Sequence, residues 1–270
     1  MVNTLQPLTF TLSRAKVLSA ACLSALVSVN VYADEVEPSG PPLGWSFGAA
    51  VISNDLSYRG VDSDVIVVPA VGYEGEDYFI RGLTAGRHLY RDRTHQVWAM
   101  INLDLSRFKP SESSDAAMAQ LDARDRSANI GIGYRYSPNR WVMVSANANT
   151  DITGRHNGQR AQLQYSLPLN RPMQAWQISP QIGVNYMSKD YVDYYFGISE
   201  TEAGRSGLPA YTGKHSVNPF IGISGYQYFT EHLSFAAGYQ YARTASGIAD
   251  SPMATQRSYR TIFATILYRW

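Results

Sequence analysis

The chain has 270 residues, one cysteine, and 23 Lys+Arg against 22 Asp+Glu, for a formal net charge of +1. Apolar residues make up 45% and charged residues 17%, against roughly 25% charged in an average soluble domain, which excludes a disordered chain. The balance leaves no basic excess to neutralise phosphates, so a nucleic-acid partner is excluded, and one cysteine excludes a disulfide scaffold. Nineteen Tyr and 21 Gly suit many strands better than helices.

At the N-terminus, Arg14 and Lys16 precede a short apolar run, Val17 to Val29, followed by Val31-Tyr32-Ala33 and then Asp34 and Glu35. A positive start, a greasy middle too short to span a bilayer and a small residue at the cut form a signal-peptide pattern. The expectation is a cleaved leader over 1–33; Cys22 lacks the Leu three positions earlier that a lipoprotein signal carries. Residues 34–43, polar and Pro-rich, read as a flexible periplasmic lead-in, and 44–270 as the folded domain. Removal of 33 residues leaves 237, with a net charge of 21 − 22 = −1 and no cysteine.

Beyond residue 43 the dominant signal is a period of two. In Gln96–Ser106, Val97, Ala99, Ile101, Leu103 and Leu105 share one face, and Asn102 and Asp104 lie on the other. In Val142–Asn149, Val142, Val144, Ala146 and Ala148 alternate with Met143, Ser145, Asn147 and Asn149; Leu233–Tyr241 repeats the pattern with Gln240 on the polar face. A soluble sandwich and a transmembrane barrel both alternate in this way. Three features select the barrel: many segments of 10–14 residues, enough to cross hydrocarbon; aromatics near segment ends, such as Trp45, Tyr73, Trp141 and Trp176; and a final strand, Tyr259–Trp270, that runs to the last residue. In that strand Ile266, Tyr268 and Trp270 share one face, an arrangement that resembles the C-terminal signal read by the outer-membrane barrel-assembly machinery, with Trp in place of the usual Phe.

The expected fold is therefore all-β: a transmembrane antiparallel β-barrel of 12 strands, with 10 as the alternative. The count of 12 takes Tyr78–Tyr90 as one strand and includes Tyr191–Ser199. Counted back from Trp270, it places the tight Ser137–Arg140 turn outside and the long Lys109–Asp125 connection inside, the reverse of the usual short periplasmic turns and long outer loops.

No catalytic grouping stands out. The five histidines, His88, His95, His156, His215 and His232, form no His-Glu-x-x-His pair or other close ligand cluster, and no Gly-x-Ser-x-Gly or phosphate loop occurs, so no metal, cofactor or catalytic residue is expected. His88 and His95, in an Arg-rich stretch, read as a polar rim. Arg59, Arg87, Arg91, Arg93, Arg205 and Arg257, in or beside loops, would either bind lipopolysaccharide phosphates or form a salt-bridged surface. Asn102, Asp104, Asn147, Asn149 and Gln240 would face the lumen, lining a pore or filling a hydrogen-bonded plug.

Asp193-Tyr194-Tyr195-Phe196-Gly197-Ile198-Ser199, then Glu202-Ala203, then Gly207-Leu208-Pro209-Ala210-Tyr211, with Asp250-Ser251-Pro252 later and Leu56-Ser57-Tyr58-Arg59-Gly60 earlier, resembles the MipA/OmpV family of outer-membrane proteins. Tyr194, Tyr195, Gly197, Asp250, Ser251 and Pro252 carry the match. The resemblance implies a barrel in the bacterial outer membrane, in contact with lipid and lipopolysaccharide. It also implies a non-enzymatic scaffold between a lytic transglycosylase and a bifunctional murein synthase. A small-solute channel and a barrel tied to envelope stress or antibiotic response are the alternatives.

Overall fold

The computed structural model describes residues 43–54, 58–61, 64–169 and 175–270. The expected leader and nearly all of the lead-in lie outside the described residues, as do Leu56, Ser57 and the turn at Asn170-Arg171-Pro172. Among the described residues are twelve strands: β1 (Gly44–Asn54), β2 (Asp64–Glu74), β3 (Tyr78–Arg81), β4 (Thr84–Arg91), β5 (His95–Asp104), β6 (Ser127–Asn139), β7 (Val142–Asp151), β8 (Gln159–Ser166), β9 (Trp176–Met187), β10 (Ser216–Tyr228), β11 (Leu233–Arg243) and β12 (Ser258–Arg269). Each pairs antiparallel with its chain neighbour, and β1 pairs with β12 from Ser46↔Arg269 to Asn54↔Thr261, closing the barrel. Closure matters because backbone groups left open at a sheet edge in hydrocarbon have no water to bond.

The alternation resolves into an outer and an inner face. Ile130, Ile132, Leu163, Ile182, Ile221, Ile223, Ile262 and Ile266 are exposed on the outside, while Asn102, Asp104, Asn129, Arg135, Asn149, Arg160, Gln181 and Gln240 are buried within. Large apolar side chains outside and polar ones inside invert the order of a soluble core, as a lipid-facing wall requires. Several inner glycines lie under a neighbouring aromatic: Gly86 under Phe79, Gly133 under Trp98 and Gly238 under Phe263.

The strand number agrees with the sequence reading through two differences that offset each other. Tyr78–Tyr90 is not one strand: Arg81 pairs with Thr84 across a two-residue turn, Gly82-Leu83, with Gly82 at φ 59°, the conformation such a turn favours at its first central position. Tyr191–Ser199 is not a strand: Lys189–Phe196 forms helix α1, capped by the Ser188 hydroxyl, which accepts from the Tyr191 N–H, and Tyr191, Val192, Tyr195 and Phe196 make its buried face. With these changes the loop parity falls into order. The Ser137–Arg140 turn joins β6 to β7 at the periplasmic end, and the long β5–β6 connection lies outside.

A Cβ on Gly86 would sit 2.3 Å from Phe79 Cζ and 2.5 Å from the Ala99 carbonyl oxygen. Gly86→Ala is therefore expected to destabilise the barrel by about 1–3 kcal/mol, read as a lower midpoint of urea unfolding in vesicles.

Candidate functional site

The long connections at the outer end do not splay into solvent. They fold over the mouth as a cap with its own apolar core, in which Tyr58 from β1–β2, Phe108, Met118 and Leu121 from β5–β6, Tyr191, Val192, Tyr195, Phe196, Ile198 and Leu208 from β9–β10, and Ile248 and Met253 from β11–β12 come together. Short bridges pin the loops to one another: Tyr58 to Ala254, Phe108 to Arg124 and Ile198 to Tyr211. The cap also holds α2 (Glu200–Ser206), whose start carries a reciprocal capping box between Ser199 and Glu202, and a single turn, α3 (Ser246–Ala249).

The residues that carry the family resemblance all lie in this cap. Tyr195 is buried, with its hydroxyl donating to the Asp125 carbonyl (3.1 Å), while the Tyr194 hydroxyl accepts from the Asp125 N–H (2.9 Å). Burial pushes the Tyr195 phenol up, so it stays protonated. The Gly197 carbonyl accepts from Arg124 (3.1 Å), and the Ser251 hydroxyl donates to the Phe196 carbonyl (2.6 Å), joining the two stretches that the sequence separates. Asp250 lies 3.9 Å from Arg257, and Pro252 follows in the same turn. At the far end of the chain Ile266, Tyr268 and Trp270 face outward.

Beneath the cap a buried ion pair joins β5 to β8 inside the barrel. Arg160 donates to Asp104 at 2.7 Å, with side-chain exposures of 7% and 0%. The Tyr191 hydroxyl donates to the same carboxylate at 3.2 Å, and the Arg160 guanidinium lies 4.9 Å from the centre of the Tyr191 ring. Asp104 was legible as a lumen-facing residue; its partner, 56 positions later on β8, was not. A second pair lies within the cap itself, Arg124 to Glu202 at 2.8 Å. Burial opposes ionisation of Glu202, but N–H groups of Asp122 and Ser199 and the Arg124 guanidinium outweigh it and hold the carboxyl at about 2. A depressed carboxyl stabilises the fold above its unfolded value near 4.5, and that contribution fades as pH falls toward 2. The cap's near-UV circular dichroism is accordingly expected to hold from pH 7 to 5 and to decay below about 4.5, with Glu202→Gln removing this acid step.

Ser127, His156 and Asp151 lie together under the cap and superficially match a hydrolase triad. The hydrogen bonds say otherwise. The Gly158 N–H donates to His156 Nδ1 (2.9 Å), so that nitrogen carries no proton, and Nε2–H must donate to Ser127 Oγ (3.1 Å). Asp151 lies 4.0 Å from Nδ1 and instead accepts N–H bonds from Thr153, His156 and Asn157. Burial also pushes the imidazole below its ordinary value, favouring the neutral form. A triad needs the opposite tautomer, with Nε2 free to take the serine proton.

The remaining polar expectations divide. His88 is not part of a rim: it follows Thr84 and Gly86 on the inner face of β4 and is buried inside, 3.1 Å from Glu74, which also holds Arg81 (2.9 Å) and Arg91 (3.4 Å); the bulge after it turns Arg91 inward. His95 is at the periplasmic start of β5, with its Nδ1 2.8 Å from the Tyr134 hydroxyl. Arg87, Arg91 and Arg93 thus lie toward the periplasmic end, away from lipopolysaccharide. On the outer side Arg59, Arg205 and Arg257 pair with Asp115, Asp122 and Asp250. Among the described residues no group of three or more His, Cys, Asp or Glu could hold a metal.

The family model for MltA-interacting protein MipA matches residues 47–270. YiaT of Escherichia coli (strain K12), whose name places it in the outer membrane, is 30% identical over 83% of this chain and 90% of its own length. The MltA-interacting protein of the same organism is 28% identical over 84% of this chain and 90% of its own length. Among solved structures, the NanC porin is 8% identical, with a TM-score of 0.46, over 82% of this chain and all of that one. An outer membrane channel from Pseudomonas putida F1 is 11% identical, with a TM-score of 0.45, over 87% of this chain and all of that one. A closed twelve-strand barrel, a cap that holds the motif residues and a family match over nearly the whole barrel lead to one conclusion: the chain is an outer-membrane protein of the MltA-interacting protein (MipA) family.

Proposed function

We propose that this protein is a non-enzymatic scaffold that links murein-synthesising and murein-cleaving enzymes at the cell envelope through its periplasmic turns. The observation that carries the reading is family membership together with a relative named for its interaction with MltA, aligned over nearly the full barrel. The architecture supports it. The cap occupies the outer mouth, while the periplasmic turns present exposed aromatics: Trp141, with Arg140 over its ring at 4.5 Å, Phe229 and Tyr78. Such anchors suit protein contact at a water-facing rim. The tautomer held at His156 supports the non-enzymatic part, because it leaves Ser127 unactivated.

The test is co-purification of the full chain in detergent with a purified lytic transglycosylase and a purified bifunctional murein synthase. A ternary complex that requires the barrel is the expected result; two enzymes that elute without it would contradict the scaffold. The second reading, a small-solute channel, draws on the polar lumen wall of Asn147, Gln162, Gln164 and Asn185. It requires steady conductance in a planar bilayer, which the packed cap argues against.

A further inference from the structure

The barrel wall is incomplete on one side. The β3–β4 hairpin ends at Gly82-Leu83, where β2 has reached only Gly72, paired with Arg81, and β5 only Asn102, paired with Thr84. The last backbone bonds across the hairpin's top are Gly82 N–H to the Val71 carbonyl and Leu103 N–H to the Leu83 carbonyl. β2 continues outward through Asp64–Ala70, at about 3.3 Å per residue roughly 20 Å of strand, paired only with β1. Among the described residues no strand covers its other edge.

Two features of the sequence fit an edge that is open by construction. Backbone groups alternate sides along a strand, and the Val71 carbonyl points toward the hairpin, so Val65, Val67 and Pro69 point their backbone groups the same way. Pro69 has no N–H to leave unpaired there, and proline is confined to edges of this kind. Val65 and Val67 are 65% and 68% exposed, the highest values for large apolar side chains in the described strands, as the absence of a flanking strand requires.

The opening is framed above as well as below. Arg59 pairs with Asp115, and the Gly60 carbonyl accepts from the Ser114 N–H (2.7 Å) and hydroxyl (3.0 Å), tying the β1–β2 loop to the β5–β6 loop as a lintel. The result is a lateral window in the outer half of the wall. Behind it the lumen changes character. Elsewhere its wall sets Asn, Gln, Ser and Arg among aromatics such as Phe79, Trp98 and Phe220, but the inner faces of β2 and β1 beside the window carry Ile66, Val68, Ala70, Ala50 and Ile52 with no charged or amide side chain between them.

We infer that this window admits the acyl chain of an outer-leaflet amphiphile, which lies through the wall against the inner strip of Ile66, Val68 and Ala70. The side chains run apolar from hydrocarbon, past Val65 and Val67, to that strip, and the backbone groups of the open edge lie along the window's rim. A chain seated there covers the exposed edge side chains while its headgroup stays at the membrane surface. A polar solute gains nothing from this lining, whose side chains offer no hydrogen-bonding group.

The test uses the full chain with Cys22→Ser, a bimane label on single introduced cysteines, and phosphatidylcholine vesicles containing stearate that carries a nitroxide at its methyl end. The positions are Val68→Cys inside the window, Gln164→Cys on the opposite inner wall and Ile221→Cys on the lipid face. Quenching at position 68 should approach that at 221 and far exceed that at 164, and Ile66→Asn should reduce it. Should Val68→Cys fail to fold, Ala50→Cys, its cross-strand neighbour, takes the label. Quenching at 68 no stronger than at 164, with 221 still strongly quenched, overturns the inference. So does equally strong quenching at all three, because the chain would then reach the lumen without regard to the window.

Discussion

Asp104→Ala is expected to free the cap while leaving the barrel standing. The carboxylate is fully buried and is the ion partner of Arg160, itself only 7% exposed. Deleting one member of such a pair strands the other charge and costs about 3–5 kcal/mol. That cost falls on the cap because Tyr191, on α1, bonds to the same carboxylate and stacks on the same guanidinium. Amide hydrogen exchange in Lys189–Phe196 should accelerate by about two to four orders of magnitude, the equivalent of that free energy, with strand amides of β9 and β10 unchanged. Tyr191→Phe removes the hydroxyl's bonds to Asp104 and Ser106, each worth about 1 kcal/mol, and should accelerate exchange by about thirtyfold, less than Asp104→Ala. The pair Asp104→Leu with Arg160→Met should be milder than Asp104→Ala alone, because no charge is left unpaired.

Ile221→Arg on the lipid face is the second large effect. Ile221 points outward from the middle of β10 and is 60% exposed. A cation near the bilayer midplane costs about 2–4 kcal/mol in a barrel wall. On the inner face Gln164→Arg joins a polar wall and should change stability little. Urea unfolding in vesicles separates the two: a large drop in midpoint for the first, and a small one for the second.

The strands were legible because a wall between oil and a polar lumen imposes a strict period of two, and residues such as Ile130, Ile132 and Tyr134 opposite Asn129, Gly131 and Gly133 display it without any knowledge of their partners. Residues Tyr78–Tyr90 hid their turn because Gly82-Leu83 interrupts the alternation by only two residues; the glycine was the available signal. Tyr191–Ser199 looked like a strand because Tyr, Val and Phe favour strands. Its burial at Tyr191, Val192, Tyr195 and Phe196 follows a helical face, and Ser188 together with the Ser199-x-x-Glu202 box marked the two helix starts. The inward face of His88 is hidden in the sequence because the Gly82-Leu83 turn resets the alternation, placing Thr84, Gly86 and His88 inside. How the cap assembles left no local pattern: Tyr58, Phe108, Tyr195 and Met253 meet only once four distant loops fold together, and no local spacing encodes that.

The apolar faces of the strands meet lipid, and the opposite, largely polar faces line the lumen. Single cysteines along β10, labelled with bimane in vesicles of nitroxide-bearing phosphatidylcholine, test this most directly. The nitroxide of a bilayer phospholipid should quench strongly at Val217, Pro219, Ile221 and Ile223 and weakly at Asn218, Phe220, Gly222 and Ser224, rising and falling with every residue. Quenching that is uniform along the strand, or strongest at the even positions, would contradict the account.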